Sequence, residues 1–389
     1  MTATESKPAA VPVRLIKGRG AVSRPQGRYE GLVREADPGV TWSPDAEESG
    51  SPPPHLTRVT REDARSIVSR NRSPDVFFEQ SANPYRGCEH GCIYCYARPN
   101  HAWLGLSPGL DFETELVAKP KAAELLAAEI ARPGYRCSPL VLGTATDAYQ
   151  PIEREWRLTR AMLQVLAEWR HPVAIITKSA LVERDLDLLA PMAAQGLAAV
   201  YVTVTTLQPE LAMAWEPRAA APWRRLQTIR RLSEAGIPVG VMVAPIVPFL
   251  NEPEIETVLG EARRAGARSA HYTVLRLPHE LEQVFADWLR AHHPERADRV
   301  LARLADMRPG GRLNDARFHH RMRGEGTWAE LIRLRFELAC RKAGLTRERA
   351  ALEVSRFSAP RNQRQLALFE HPGPSPTPGL PRTGAQVKI

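Results

Sequence analysis

Six short apolar runs alternate with amphipathic stretches through the middle of this chain, and that alternation limits the fold more than any other feature. The runs cover 77–84, 139–143, 173–177, 198–205, 239–244 and 270–275, and helical patterning follows over 119–131, 152–169, 182–194, 222–235, 252–265 and 280–292. Strand followed by helix, repeated, builds a parallel sheet, because each crossover must return the chain to the edge where the next strand begins. Pro222 and Gly236 bracket one of these helices, and Pro253 and Gly266 another. A first-turn proline lacks an N–H that the helix would leave unbonded, and a glycine past the last turn accepts the left-handed conformation that ends it. Six units predict an α/β fold, a partial (β/α)6 three-quarter TIM-like barrel. Chemistry in such sheets gathers at the C-terminal ends of the strands, so the residues just after each run are the ones to read.

The flanks have a different character. Residues 1–57, rich in Pro, Gly, Ser and charge, carry no sustained period and predict a disordered N-terminal arm. The barrel is expected over 75–292, a basic helical C-terminal extension over 293–365 and a disordered tail over 366–389. Lys and Arg number 53 against 44 Asp and Glu, and 293–370 alone holds 17 against 10. A basic surface invites an anionic partner such as nucleic acid, although an arginine-rich genome would leave the same excess. The longest apolar run, 235–250, is broken by Pro238, Pro245 and Pro248 and falls short of the roughly 20 residues of a membrane span. No membrane association is expected. No apolar stretch follows a basic start at the N-terminus, so the expected compartment is cytoplasmic.

Five cysteines, an odd number in so long a chain, do not suit a disulfide framework. Cys88, Cys92 and Cys95 form CxxxCxxC directly after the first apolar run. Three thiols so close point to metal. Zinc would need a fourth ligand, which His90 or His101 could supply, whereas an iron–sulfur cluster held by three cysteines keeps one iron open. Spacing alone leaves both readings standing, and the zinc reading would make the chain a zinc-stabilised, non-catalytic nucleic-acid-binding module.

The motif, with Tyr94 just before its last cysteine, on the loop after the first strand of a six-unit barrel, resembles the radical SAM superfamily. More narrowly, SANPYRGCEHGCIYCYAR, GTATDAYQPIE, ITKSALVERDLDLL, VTVTTLQPEL, PIVPFLNEPEI and GGRLNDARFHHRMRGEG resemble the bacterial group labelled DNA repair photolyase, related to spore photoproduct lyase. The resemblance implies a lyase-like enzyme with a [4Fe-4S] cluster on Cys88, Cys92 and Cys95 whose open iron binds S-adenosylmethionine. It further implies reductive cleavage to a 5′-deoxyadenosyl radical, an electron donor such as flavodoxin or ferredoxin, and a substrate that for this group would be nucleic acid. The protein's part in such chemistry is to orient and shield the radical.

By the same resemblance Tyr94 would lie against the adenine. Gly143, Thr144, Thr146 and Asp147, after the second run, would give close approach and hydrogen-bonding groups to the methionine moiety. Asp147 reads equally as a helix N-cap. Lys178 would pair with the cofactor carboxylate, and Thr203, which shares a strand face with Thr205, would reach the ribose or methionine. Arg276, after the sixth run, is the substrate-contact candidate. Glu216 with Arg225 reads as a structural pair or a site pair, and the Arg317, Arg321 and Arg323 cluster as a phosphate contact or as surface charge. The chain departs from spore photoproduct lyase where that enzyme has a hydrogen-donating cysteine after its second strand, because residues 140–147 read LVLGTATD. Cys137 precedes the strand and Cys340 lies in a helical pattern, which leaves Tyr149 or Tyr272 as conceivable donors.

Overall fold

The computed structural model describes residues 15–31 and 56–359. Its strands in chain order are β1 (Arg58–Arg61), β2 (Val68–Arg70), β3 (Gln80–Ala82), β4 (Tyr85–Arg86), β5 (Glu115–Ala118), β6 (Leu140–Leu142), β7 (Val173–Thr177), β8 (Ala198–Thr203), β9 (Val239–Ile246) and β10 (Ser269–Val274). The α-helices are α1 (Asp111–Thr114), α2 (Ala122–Ile130), α3 (Glu153–Trp156), α4 (Leu158–Glu168), α5 (Leu186–Ala193), α6 (Pro209–Trp215), α7 (Pro222–Glu234), α8 (Ile255–Arg264), α9 (Leu281–His292), α10 (Ala297–Asp306) and α11 (Gly326–Ala343).

β3, β6, β7, β8, β9 and β10 lie side by side, all parallel, and β2 adds an antiparallel edge beyond β3. Spatial order follows chain order, as repeated crossovers of one hand require. The sheet does not close on itself, so the partial barrel expected from the six runs is the observed architecture. A small second sheet, in the order β1, β5, β4, stands beside the start of the barrel.

Alternation along each strand sorts its residues between two surroundings. On β8, Val200 and Val202 pack into the main core with the helices, while Ala199 and Tyr201 join Val141, Ala174 and Met242 on the inner face. The first run is shorter than expected because 77–79 belong to a turn, in which Asn71 donates to the Phe78 carbonyl at 2.5 Å. The helix expected over 152–169 breaks at Arg157, with φ 50°. There the Glu153 carboxylate turns back to accept from the amides of Thr159 and Arg160 at the start of α4. α6, in the loop after β8, was not legible in the periodicity.

Residues 15–31, expected to be part of a disordered arm, are placed against the cysteine loop. The Glu113 carboxylate accepts from the amides of Gly20 and Ala21 at 2.9 and 2.8 Å, so a polar segment is ordered by a distant side chain. A Cβ on Gly20 would sit 1.9 Å from the Gly91 carbonyl oxygen, so only glycine permits this approach. Residues 1–14 and 32–55 of the arm and the expected tail lie outside the described residues.

The expected C-terminal extension is helical in α10 and α11, but residues 346–358 form a strap across the N-terminal ends of the strands. Thr346 bridges Ser269 at the start of β10, Glu353 donates to the Gly196 carbonyl before β8, and Ser358 donates to the Trp169 carbonyl before β7. Ala350 and Leu352 of the strap pack against the inner-face cluster.

Candidate active site

The open end of the sheet holds a cavity of about 500 Å³. Its lining includes Cys88, Cys92, Cys95, Tyr94, Gly143, Thr144, Asp147, Lys178, Thr203 and Arg276, so the cluster, cofactor and substrate-contact candidates face one volume. They come from separate elements: the loop after β4, the segments following β6, β7 and β10, and the end of β8.

The cysteine loop is fixed from behind by Arg98, which is fully buried. Its guanidinium donates to the carbonyls of Cys92 at 2.8 Å and Gly91 at 3.1 Å, and pairs with the Glu113 carboxylate. Burial pushes the Cys88 thiol well above its ordinary range and the Cys92 thiol up to about 12. Thiols in such surroundings become thiolates when a cation takes them.

Tyr94 is buried with its hydroxyl donated to Glu216, which also accepts from Thr205 at 2.9 Å and pairs with Arg225. Glu216 with Arg225 is therefore a buried structural pair that anchors Tyr94, and Thr205, unlike Thr203, turns to it. The Lys178 ammonium lies 5.7 Å from the centre of the Tyr94 ring. Its chain neighbour Thr177 donates its hydroxyl to Asp147 at 2.7 Å, and the Lys178 amide donates to the same carboxylate at 2.7 Å.

Asp147 is a junction and not an N-cap: it also accepts the Tyr149 amide at 2.9 Å and lies 3.3 Å from His90 Nδ1. Burial alone would raise its carboxyl, but the His90 charge and the Lys178 amide hold it well below the carboxylate range. Sequence reading missed this pairing of His90 with Asp147, because nothing local connects positions so far apart in the chain. Gly143, with φ 89°, could carry no side chain, since a Cβ would lie 2.1 Å from the Ile176 carbonyl oxygen. The Thr146 hydroxyl is buried beside the cavity without a hydrogen-bond partner.

Several candidates lie elsewhere. His101 packs edge-on against Phe112, with Nε2 2.9 Å from the Glu115 carbonyl oxygen, and burial lowers it to about 4. It is turned away from the cavity. Tyr149 is buried against Asp185 at 3.1 Å, whereas Tyr272 lines the cavity. Cys137 and Cys340 are not among the lining residues. Arg317 is paired with Asp315 and Glu325, and Arg321 with Asp75, which leaves Arg323 as the member of that cluster facing the cavity.

No three Cys, His, Asp or Glu side chains among the described residues converge as a lone metal ion requires. The cysteines instead ring a shared volume. A [4Fe-4S] cluster takes three thiolates at three separate irons, so this donor set fits a cluster better than a single tetrahedral ion.

A six-stranded parallel half-open barrel, with chemistry-bearing loops at the strand ends and a three-cysteine loop at the first of them, defines the radical SAM class of α/β enzyme. Residues 82–262 match the profile of the radical SAM superfamily, so the chain carries a radical SAM domain. A protein of Mycobacterium bovis described only as uncharacterized is 38% identical over 251 residues, covering 63% of this chain and 74% of that relative. An uncharacterized protein of Methanocaldococcus jannaschii is 29% identical over 181 residues, covering 46% of this chain and 64% of that one. Among solved structures, spore photoproduct lyase complexed with dinucleoside spore photoproduct has a TM-score of 0.52 at 14% identity, covering 74% of this chain and 80% of that one. That likeness establishes a shared fold. Among the described residues no helix is long and apolar enough to cross a membrane.

Proposed function

We propose that this radical SAM enzyme holds a [4Fe-4S] cluster on Cys88, Cys92 and Cys95 and cleaves S-adenosylmethionine reductively. The observation that carries this reading is the presence of all three cysteines around one cavity at the C-terminal ends of parallel strands, with a lysine beside them that is in no ion pair among the described residues. Cluster and S-adenosylmethionine, when bound, supply a 5′-deoxyadenosyl radical. The chain's own residues bind, position and shield. Lys178 would neutralise the cofactor carboxylate, and Asp147 holds the Lys178 backbone so that the ammonium stays on the cavity side. Glu216 and Arg225 fix the Tyr94 ring as a wall for the adenine. Gly143 leaves room for close approach, and the free hydroxyl of Thr146, with Thr203, offers hydrogen bonds.

The reductant in this reading is a small electron-transfer protein such as flavodoxin or ferredoxin, in the cytoplasm. Nucleic acid is the substrate class that the formal charge of +9 supports. The test is metal analysis after anaerobic purification. Iron with acid-labile sulfide at close to four of each per chain is the expected result. Stoichiometric zinc without sulfide would overturn the reading in favour of a non-catalytic module.

A further inference from the structure

Four arginines on the cavity wall have no role in the chemistry above. Arg276, Arg323, Arg347 and Arg349 all face the cavity, and among the described residues none is in an ion pair. The Nε of Arg349 is buried with no hydrogen-bond partner. The fully buried guanidiniums of Arg98 and Arg225 instead meet carboxylates and backbone carbonyls: Arg225 pairs with Glu216, and Arg98 pairs with Glu113 and donates to the carbonyls of Cys92 and Gly91.

Aromatic rings lie against three of the four cavity arginines instead. Arg349 lies 4.0 Å from the Phe77 ring centre, Arg347 5.3 Å from that of Tyr272, and Arg276 5.6 Å from that of Tyr96. A ring face fixes the guanidinium plane while leaving the N–H donors free for a ligand. The acids nearby do not cancel this charge. Asp75 is engaged by Arg321 at 2.5 Å and by the His319 amide at 2.6 Å, and Asp147 by His90 and Lys178. Burial together with Arg321 lowers the Arg276 guanidinium, and burial together with Arg347 lowers that of Arg349.

All four lie beyond the span that the superfamily profile matches, and two of them, Arg347 and Arg349, belong to the strap. The strap enters at the starts of the strands, and Arg349 reaches Tyr201 at mid-strand depth. The cysteine loop lies at the other end of the same strands. The strap arginines therefore enter the cavity from the end opposite the cysteine loop, while Arg276, after β10 and beside Tyr96, lies on the cysteine side.

We propose that Arg276, Arg323, Arg347 and Arg349 form a subsite for a phosphate oxyanion of the substrate, with the strap arginines selecting for it. Free N–H forks of one sign match the several oxygens of a phosphate or phosphodiester, which they grip bidentately. This rests on reading the cavity as the substrate chamber of the radical enzyme.

Calorimetric titration of the reconstituted full-length protein tests it with three probes: a dinucleoside monophosphate, its uncharged methylphosphonate counterpart, and a nucleoside 5′-monophosphate. The charged dinucleotide should bind at least about tenfold more tightly than the methylphosphonate. Arg347→Gln, at an exposed position, and Arg349→Gln should each weaken the charged probe by about tenfold with the methylphosphonate little changed and iron content at the wild-type level. Tighter binding of the diester or of the monophosphate identifies an internal or a terminal phosphate. Equal affinity for charged and uncharged dinucleotides, undiminished binding in both variants, or no saturable binding of either phosphate probe at millimolar concentration would overturn the proposal. Charge-dependent binding in a protein that forms no 5′-deoxyadenosine would uphold the subsite and sink the radical reading alone.

Discussion

Asp147 accepts the backbone amide of Lys178 at 2.7 Å, a bond that helps tie the loop after β6 to the end of β7. The same carboxylate takes the Thr177 hydroxyl and the Tyr149 amide. Asp147→Ala would leave buried donors without an acceptor, and stability should fall by about 3 kcal/mol. Urea unfolding followed by circular dichroism measures it. A loss below about 1 kcal/mol would mean that the loops are held by other contacts.

Lys178 gives the complementary case, since its backbone is structural and its ammonium, over the Tyr94 ring, is in no ion pair among the described residues. Lys178→Ala should keep the amide bond to Asp147, the fold and the iron content, and should weaken S-adenosylmethionine binding by about tenfold. Equilibrium dialysis of the reconstituted protein reads this out. Unchanged affinity would take the ammonium out of the site.

The Glu216 carboxylate is buried and depends on Arg225, with Tyr94 and Thr205 as its neutral partners. Burial raises its pKa, opposed by the Arg225 charge. Arg225→Met strands that carboxylate and should cost about 3–5 kcal/mol. Adding Glu216→Gln should recover much of the loss, because a neutral amide does not need the cation. If the double variant is no more stable than the single one, the pair is not what holds Tyr94.

His171 is buried between the Pro172 carbonyl oxygen at 3.0 Å and the Tyr135 hydroxyl at 2.8 Å, and burial lowers its pKa from the ordinary 6.5 to about 4. A histidine whose folded pKa lies below its unfolded value carries fewer protons folded than unfolded, so stability falls as pH drops through the gap. Its contribution should be lost between about pH 6.5 and pH 4, reaching roughly 3 kcal/mol at the acid end. The urea midpoint of His171→Gln should decline less steeply over this range than that of the wild type. Parallel declines would mean that His171 is protonated within the fold.

Five of the six parallel strands were legible because each is a buried, largely apolar run between clear turn signals, whereas β3 is the buried but polar Gln80–Ala82; β7 has the bounds its sequence suggests. The gathering of the candidate residues at one cavity was legible for a related reason: strand ends of a parallel sheet converge, so the segments that follow β3, β6, β7 and β10 meet at that end. What sequence did not show depends on distant partners. Arg157 breaks a continuous helical pattern because Glu153 folds back to cap the next helix. Residues 15–31 have the composition of a loose arm and are ordered by Glu113. The strap carries TRERAALEV, whose charges suggest solvent, yet backbone bonds at three strand starts place Arg349 inside the barrel.

The central claim is tested most directly by 5′-deoxyadenosine formation. The protein is reconstituted anaerobically, supplied with S-adenosylmethionine and a low-potential reductant, and the products are separated by chromatography. The wild type should yield 5′-deoxyadenosine and methionine, Cys92→Ala should yield neither, and Cys137→Ala should behave as the wild type. No 5′-deoxyadenosine from a wild-type protein with an intact iron–sulfur cluster, with phosphodiester probes also present, would contradict the account.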